Sequence, residues 1–159
     1  VQTPVQYVMI GEGPQQAEIE QAIEALHQTG HHRIHVLGRQ VEEHVHHAYA
    51  AADLFVMPNI SVDGDMEGFG IVLLEANAVS CPAVATYIEG IRDVIDDGVN
   101  GVAIEEGDSD AFAQSIDRLL SDPTQLKALR TSSKQRAETF EWQVLVGRYE
   151  SCFLDTLMG

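Results

Sequence analysis

The stretch Met57-Pro-Asn-Ile-Ser-Val-Asp-Gly-Asp-Met-Glu-Gly-Phe-Gly-Ile-Val-Leu-Leu-Glu-Ala-Asn-Ala-Val-Ser-Cys-Pro82 decides how the rest of the chain reads. It opens with a polar loop holding three acids, Asp63, Asp65 and Glu67. A Gly-Phe-Gly turn follows at Gly68 to Gly70. Next comes an apolar run, Ile71 to Val79, which predicts a helix whose one charge is Glu75. Burying an ionised carboxylate without a partner is costly, so a lone acid in such a run needs a reason. The helix also begins just after two glycines, and an open helix start presents free N–H groups to an anion. Glu75 falls about one turn beyond Ile71, at about 3.6 residues per turn. The bland readings are that Glu67 complements the helix dipole and that Glu75 is a buried acid paired to a structural Arg. Two acids flanking a glycine-rich helix start point instead to a ligand with both hydroxyls and phosphates.

Outward from this stretch, short β-branched runs alternate with helical ones. Val5–Ile10 predicts a strand, turned by Gly11-Glu-Gly-Pro14, and Pro14 suits the first turn of a helix reaching about His27. Ile34–Leu37 is a second strand ended by Gly38, followed by a helix from about Val41 to Ala52. Leu54–Met57, Ala83–Thr86 and Gly101–Ile104 complete five strands, with a helical turn at Glu89–Ile95 between the last two. Ser109–Ser121, Pro123–Thr139 and Trp142–Leu157 are helical, so residues 140–159 read as a C-terminal helix on a single domain of residues 1–159. This order predicts an α/β fold, a Rossmann-like parallel sheet with helices on both faces. Ligands of such sheets sit outside the carboxyl ends of the strands, the end where the loops at Gly11, Gly38, Pro58 and Thr86 lie.

Charge narrows the function. Nine Lys and Arg against 25 Asp and Glu give −16, which argues against nucleic acid and against direct binding to an anionic membrane. The acids are dispersed, as on a solvated surface, and no apolar run approaches the roughly 18 residues of a membrane span. No signal peptide is readable, and a start at Val1 suggests a fragment or a processed chain. Cys81 and Cys152 are far apart in sequence and fit a reducing, cytoplasmic setting, with no bridge expected.

Other motifs are weaker. Gly11-x-Gly13 lacks the third glycine of a dinucleotide fingerprint and reads as a strand-to-helix turn. His44 and His47 share a helix face, yet no spaced Cys or acid completes a metal site. No Ser-His-Asp set, Cys nucleophile or Walker loop is readable. Trp142, Tyr149 and Phe153 recur at helical spacing, as core or domain contact would.

The line M-P-N…E-G-F-G-I-V-L-L-E-A-N-A, with C-P-A-V-A-T and E-G-I-R-D-V-I-D-D-G-V-N-G after it, resembles the C-terminal, donor-binding domain of retaining GT-B glycosyltransferases of family 4 type. V-M-I-G-E-G-P, V-L-G-R, A-A-A-D-L-F-V-M-P and the terminal F-E-W…R-Y fall in family order, so the resemblance covers nearly the whole chain. It implies a nucleoside diphosphate sugar as donor substrate, transfer of a hexose with retention, and no metal or other cofactor. By the family pattern Glu67 contacts hydroxyls of the transferred sugar as the catalytic residue, and Glu75 takes the ribose hydroxyls of the nucleotide. Gly68, Phe69, Gly70, Ile71 and Val72 would meet sugar and phosphate. Gly38, Arg39 and Gln40 look like the loop that borders the base.

The chain departs from the family at its start. The family domain begins with a strand ending in a Gly-Arg turn, followed by a helix with a Lys, and that Arg and Lys hold the phosphates. Here the chain opens at what resembles the second strand. Since the first lies mid-sheet in the family, the sheet is expected to split. The acceptor-binding N-terminal domain is missing as well, so the fragment alone is expected to be inactive. Val79-Ser80-Cys81 and Glu89 are smaller departures, at positions where Gly is common in the family. Two other readings compete: a nucleotide-sugar epimerase of the same fold, and a non-catalytic acidic interaction module that keeps the fold.

Overall fold

The five runs read as strands from the sequence all form strands, and each lies parallel to its neighbour. The computed structural model describes residues 1–27, 33–62, 64, 69–88 and 90–158. Along them run β1 (Gln6–Met9), α1 (Gln16–His27), β2 (Arg33–Val36), α2 (Glu42–Ala51), β3 (Phe55–Met57) and α3 (Ile71–Ala78). They are followed by β4 (Ala83–Thr86), α4 (Ile91–Val94), β5 (Gly101–Ile104), α5 (Ser109–Ser121), α6 (Pro123–Glu138) and α7 (Trp142–Met158).

The strands make two sheets. β1 pairs with β2 from Gln6 opposite Arg33 to Met9 opposite Val36. β4 lies between β3 and β5, with Phe55 opposite Ala83 and Ala83 opposite Gly101. The expected split therefore falls between β1–β2 and β3–β4–β5.

The core belongs to the second sheet. Alternation along β4 sends Ala83 and Ala85 to one face, where Met57, Leu73, Ile88, Ile91, Val94 and Ile95 pack. It sends Val84 to the other, against Val102, Ile104, Leu119 and Leu129. Helices therefore cover both faces of this sheet, α3 and α4 on one side and α5 on the other, while α6 sends Leu129 to the second cluster and also packs along α3. β4 and β5 also approach each other closely. A Cβ on Gly101 would stand 2.3 Å from the Ala83 carbonyl oxygen, so only glycine fits there.

Local chemistry ends and starts the helices as the residue types require. The Asp108 side chain accepts from Ala111 N at 2.8 Å and caps α5. Asp122 accepts from Thr124 N and Gln125 N, both at 3.0 Å, and Pro123 opens α6. Beneath α3, the buried Asn100 amide donates to Asn77 Oδ1 at 2.8 Å and to Val94 O at 3.0 Å, while its own oxygen accepts from Asp96 N at 2.6 Å. This satisfies two amides that would otherwise be stranded in an apolar layer.

Two expectations resolve at the periphery. Cys81 is buried and Cys152 exposed, both free, and burial pushes the Cys81 thiol up to about 11. Trp142, Tyr149 and Phe153 stay out of the core, at 76%, 66% and 65% exposure, and every described residue of α7 from Gly147 to Leu157 is exposed. Among the described residues, no helix is long and apolar enough to cross a membrane.

Candidate functional site

Gly70 sets the geometry of the site. It sits at φ 66 and ψ 43, in the left-handed region where a side chain is strained, and it precedes Ile71 with no side-chain cap on α3. Space is short as well: a Cβ there would come within 3.2 Å of Leu73 Cδ1 and 3.5 Å of Ile91 Cγ1. The Leu73 N–H returns to Gly70 O at 2.9 Å. The N–H groups of Ile71 and Val72 precede the first possible acceptor within the helix, and both residues are exposed. An uncapped start of this kind is electropositive and open to an anion.

Phe69 is fixed by an aromatic contact. Its ring meets Phe140 edge-on at 5.7 Å, and the Arg136 guanidinium lies 4.9 Å from the Phe140 ring. Arg136 also donates to the carbonyls of Asp93 at 3.0 Å and Val94 at 3.4 Å. The loop before the turn is held from β5's side, since Glu106 accepts from Ser61 N at 2.6 Å and from Ser61 Oγ at 3.0 Å. Glu67 and Gly68, named from the sequence, lie outside the described residues, as do Asp63, Asp65 and Glu89.

Glu75 is half-buried on α3, and its partner is not the structural Arg of the bland reading. Tyr49 on α2 donates its hydroxyl to Glu75 Oε2 at 3.5 Å. Among the described residues no cation lies within ion-pairing distance of this carboxylate. Burial first, and then the Glu75 charge and hydrogen bond, push the Tyr49 phenol up to about 12. Glu75 also borders a groove of about 350 Å³ between α3 and α6, lined by Leu74, Ala78, Lys134, Ala137, Glu138, Phe140 and Glu141.

The loop Gly38-Arg39-Gln40 forms a second cluster. Gly38 has φ 63 and accepts from Gly11 N at 2.9 Å, and Arg39 is 3.8 Å from Glu12. Gln40 donates to Leu37 O at 2.7 Å, and its oxygen is 3.1 Å from His44 Nδ1. This cluster adjoins the Gly11–Gly13 turn. α2 joins it to Glu75, starting two residues after Gln40 and ending near Tyr49. Sequence reasoning missed Tyr49, Asn77 and Asn100. Tyr49 lies 26 residues from Glu75, and no local pattern pairs them.

Known proteins share this architecture. A family model for glycosyl transferases group 1 matches residues 1–137. The D-inositol 3-phosphate glycosyltransferase 1 of Catenulispora acidiphila is 35% identical over 111 residues, 70% of this chain and 25% of that protein. The N-acetyl-alpha-D-glucosaminyl L-malate synthase of Bacillus anthracis is 30% identical over 151 residues, 94% of this chain and 37% of its own. Among solved structures, HepE from Anabaena in complex with UDP superposes with a TM-score of 0.78 at 23% identity, covering 96% of this chain and 41% of that one. Sucrose-phosphate synthase from Thermosynechococcus elongatus gives 0.72 at 26% identity, covering 95% and 38%. These 159 residues thus span about a quarter to two-fifths of the length of such relatives.

Proposed function

The chain belongs to the glycosyl transferases group 1 family, and from that premise we propose that it is the donor-binding part of a retaining, family 4 type hexosyltransferase. One observation carries the reading: Glu75, half-buried and with no cation in ion-pairing distance among the described residues, stands one turn inside a helix whose start at Gly70 has no side-chain cap. A carboxylate accepts from vicinal hydroxyls and an open helix start takes an anion, so the pair suits a nucleoside diphosphate. HepE was solved with UDP, which supports the same ligand class. Glu75 holds the ribose in this reading, and Glu67 meets hydroxyls of the transferred sugar. The turn from Gly68 to Val72 lies against sugar and distal phosphate, and Gly38, Arg39 and Gln40 border the base.

Transfer runs through an oxocarbenium-like state, and the protein's main task is to stabilise the leaving diphosphate without a metal. The amides of α3 supply part of that stabilisation. Further positive charge and the acceptor-binding domain come from outside these residues, so the isolated chain is inactive. Two free cysteines suit a cytoplasmic parent enzyme.

Calorimetric titration of the full-length protein with UDP and GDP tests the assignment. One of them should bind, and Glu75→Ala should weaken it about 10- to 100-fold, the loss of charge-assisted hydrogen bonds. Undiminished binding by the Glu75→Ala protein would sink the site.

A further inference from the structure

The geometry points to Tyr49 as the positioning residue for Glu75, its hydroxyl holding one carboxylate oxygen so that the other faces the ribose. This inference rests on the reading of Glu75 given above. A glutamate has three side-chain torsions, and on a helix surface its carboxylate samples many orientations. Tyr49 restricts them. Its hydroxyl reaches Oε2 at 3.5 Å, and among the described residues no cation competes for that oxygen.

Tyr49 is itself fixed from below. Its ring stands edge-on to Phe55 at 5.3 Å and 89°. Phe55 packs against the first core cluster, and its N–H donates to Pro82 O at 2.9 Å. A rigid path therefore runs from the β3 backbone through two rings to the carboxylate. The phenol, pushed up to about 12, keeps its proton near neutrality and stays a donor there. α2 also ties this contact to the Gly38–Gln40 loop, because one helix carries Tyr49 and begins at that loop.

Tyr49→Phe removes only the hydroxyl and keeps the ring on Phe55. The probe is whichever of UDP and GDP the full-length protein binds, together with its 2′,3′-dideoxy counterpart, both measured by calorimetry. Tyr49→Phe should weaken the ribonucleotide about 5-fold and leave the dideoxy nucleotide unchanged. In the Glu75→Ala background the same substitution should have no effect on either. Equal losses for both nucleotides, or a loss that persists without Glu75, would show a packing role only and overturn the inference. If instead Glu75→Ala binds the ribonucleotide as tightly as the native protein, the assignment of Glu75 fails first and carries this inference with it.

Discussion

The β1–α2 unit and the β3–α6 unit are assembled from the same parts, short parallel strands alternating with helices, and they bury very different amounts. Among the described residues before Met57 none is fully buried, whereas both core clusters lie between Met57 and Leu129. The difference follows from strand neighbours. β4 has a partner on each side and helices on each face, so all four of its residues are buried. Among the described residues β1 and β2 pair only with each other, and their residues alternate between exposed and half-buried. A two-stranded parallel sheet offers too little apolar surface to stand alone. Discrete polar ties help instead, such as Gly11 N to Gly38 O and the Asp117 carboxylate, which accepts from Gln2 N and Thr3 N.

Substitutions can break or sharpen this contrast. The largest effect is expected at Gly101→Ala. The new methyl would meet the Ala83 carbonyl at 2.3 Å, so the β4–β5 pair must separate, at a cost above about 3 kcal/mol. Gly13→Ala in the other unit points into open space and should shift stability by less than about 0.5 kcal/mol. Urea unfolding followed by circular dichroism compares the two, and equal losses would erase the contrast.

Asn100→Ala comes next. It strands the buried Asn77 amide oxygen and the Asp96 N–H, and should cost about 2–3 kcal/mol by the same measurement. An effect near zero would mean that water replaces the side chain and that the network is not what holds α3 to its layer.

The smallest effect concerns Asp117. Backbone hydrogen bonds from Thr3 and then Gln2 hold its carboxyl below the ordinary 3.8. A depressed folded value means that the tie is present above the unfolded value, near 3.9, and is lost as pH falls through the lower folded one. Amide exchange by NMR should show Gln2 and Thr3 protected at pH 5 and less protected as the Asp117 carboxyl takes up its proton at lower pH, with Asp117→Ala losing protection throughout. A midpoint of unfolding that moves strongly with Asp117→Ala would contradict a purely local tie.

The elements were legible in the sequence because alternating strand and helix periods survive in short runs. Ala83–Thr86, Gly101–Ile104 and Ser109–Ser121 have the same bounds in the structure as in the sequence reading. Glu75 was legible for a different reason, as one charge in an apolar helix. Its surroundings were not. Tyr49 sits on a helix rich in His and Glu, and only the packing of α2 against α3 brings it to the carboxylate. Asn77 and Asn100 looked like ordinary helix and turn residues, since their pairing depends on β4 and β5 lying side by side. Gly101 likewise read as the start of a strand, and its necessity comes from a backbone across the sheet.

The ring of Phe140 also gives the site an optical reporter. It touches Phe69 on one side and the Arg136 guanidinium on another, and it falls between the end of α6 and the start of α7. Two residues further on is Trp142, the single tryptophan of these 159 residues, 76% exposed. A nucleotide phosphate settling on the turn beside Phe69 should therefore alter Trp142 emission. A titration of this chain with UDP or GDP should show it, and the signal should vanish in Phe140→Leu. The chain thus carries its own fluorophore at the root of the C-terminal helix, two residues along the chain from the ring that meets the turn opening α3.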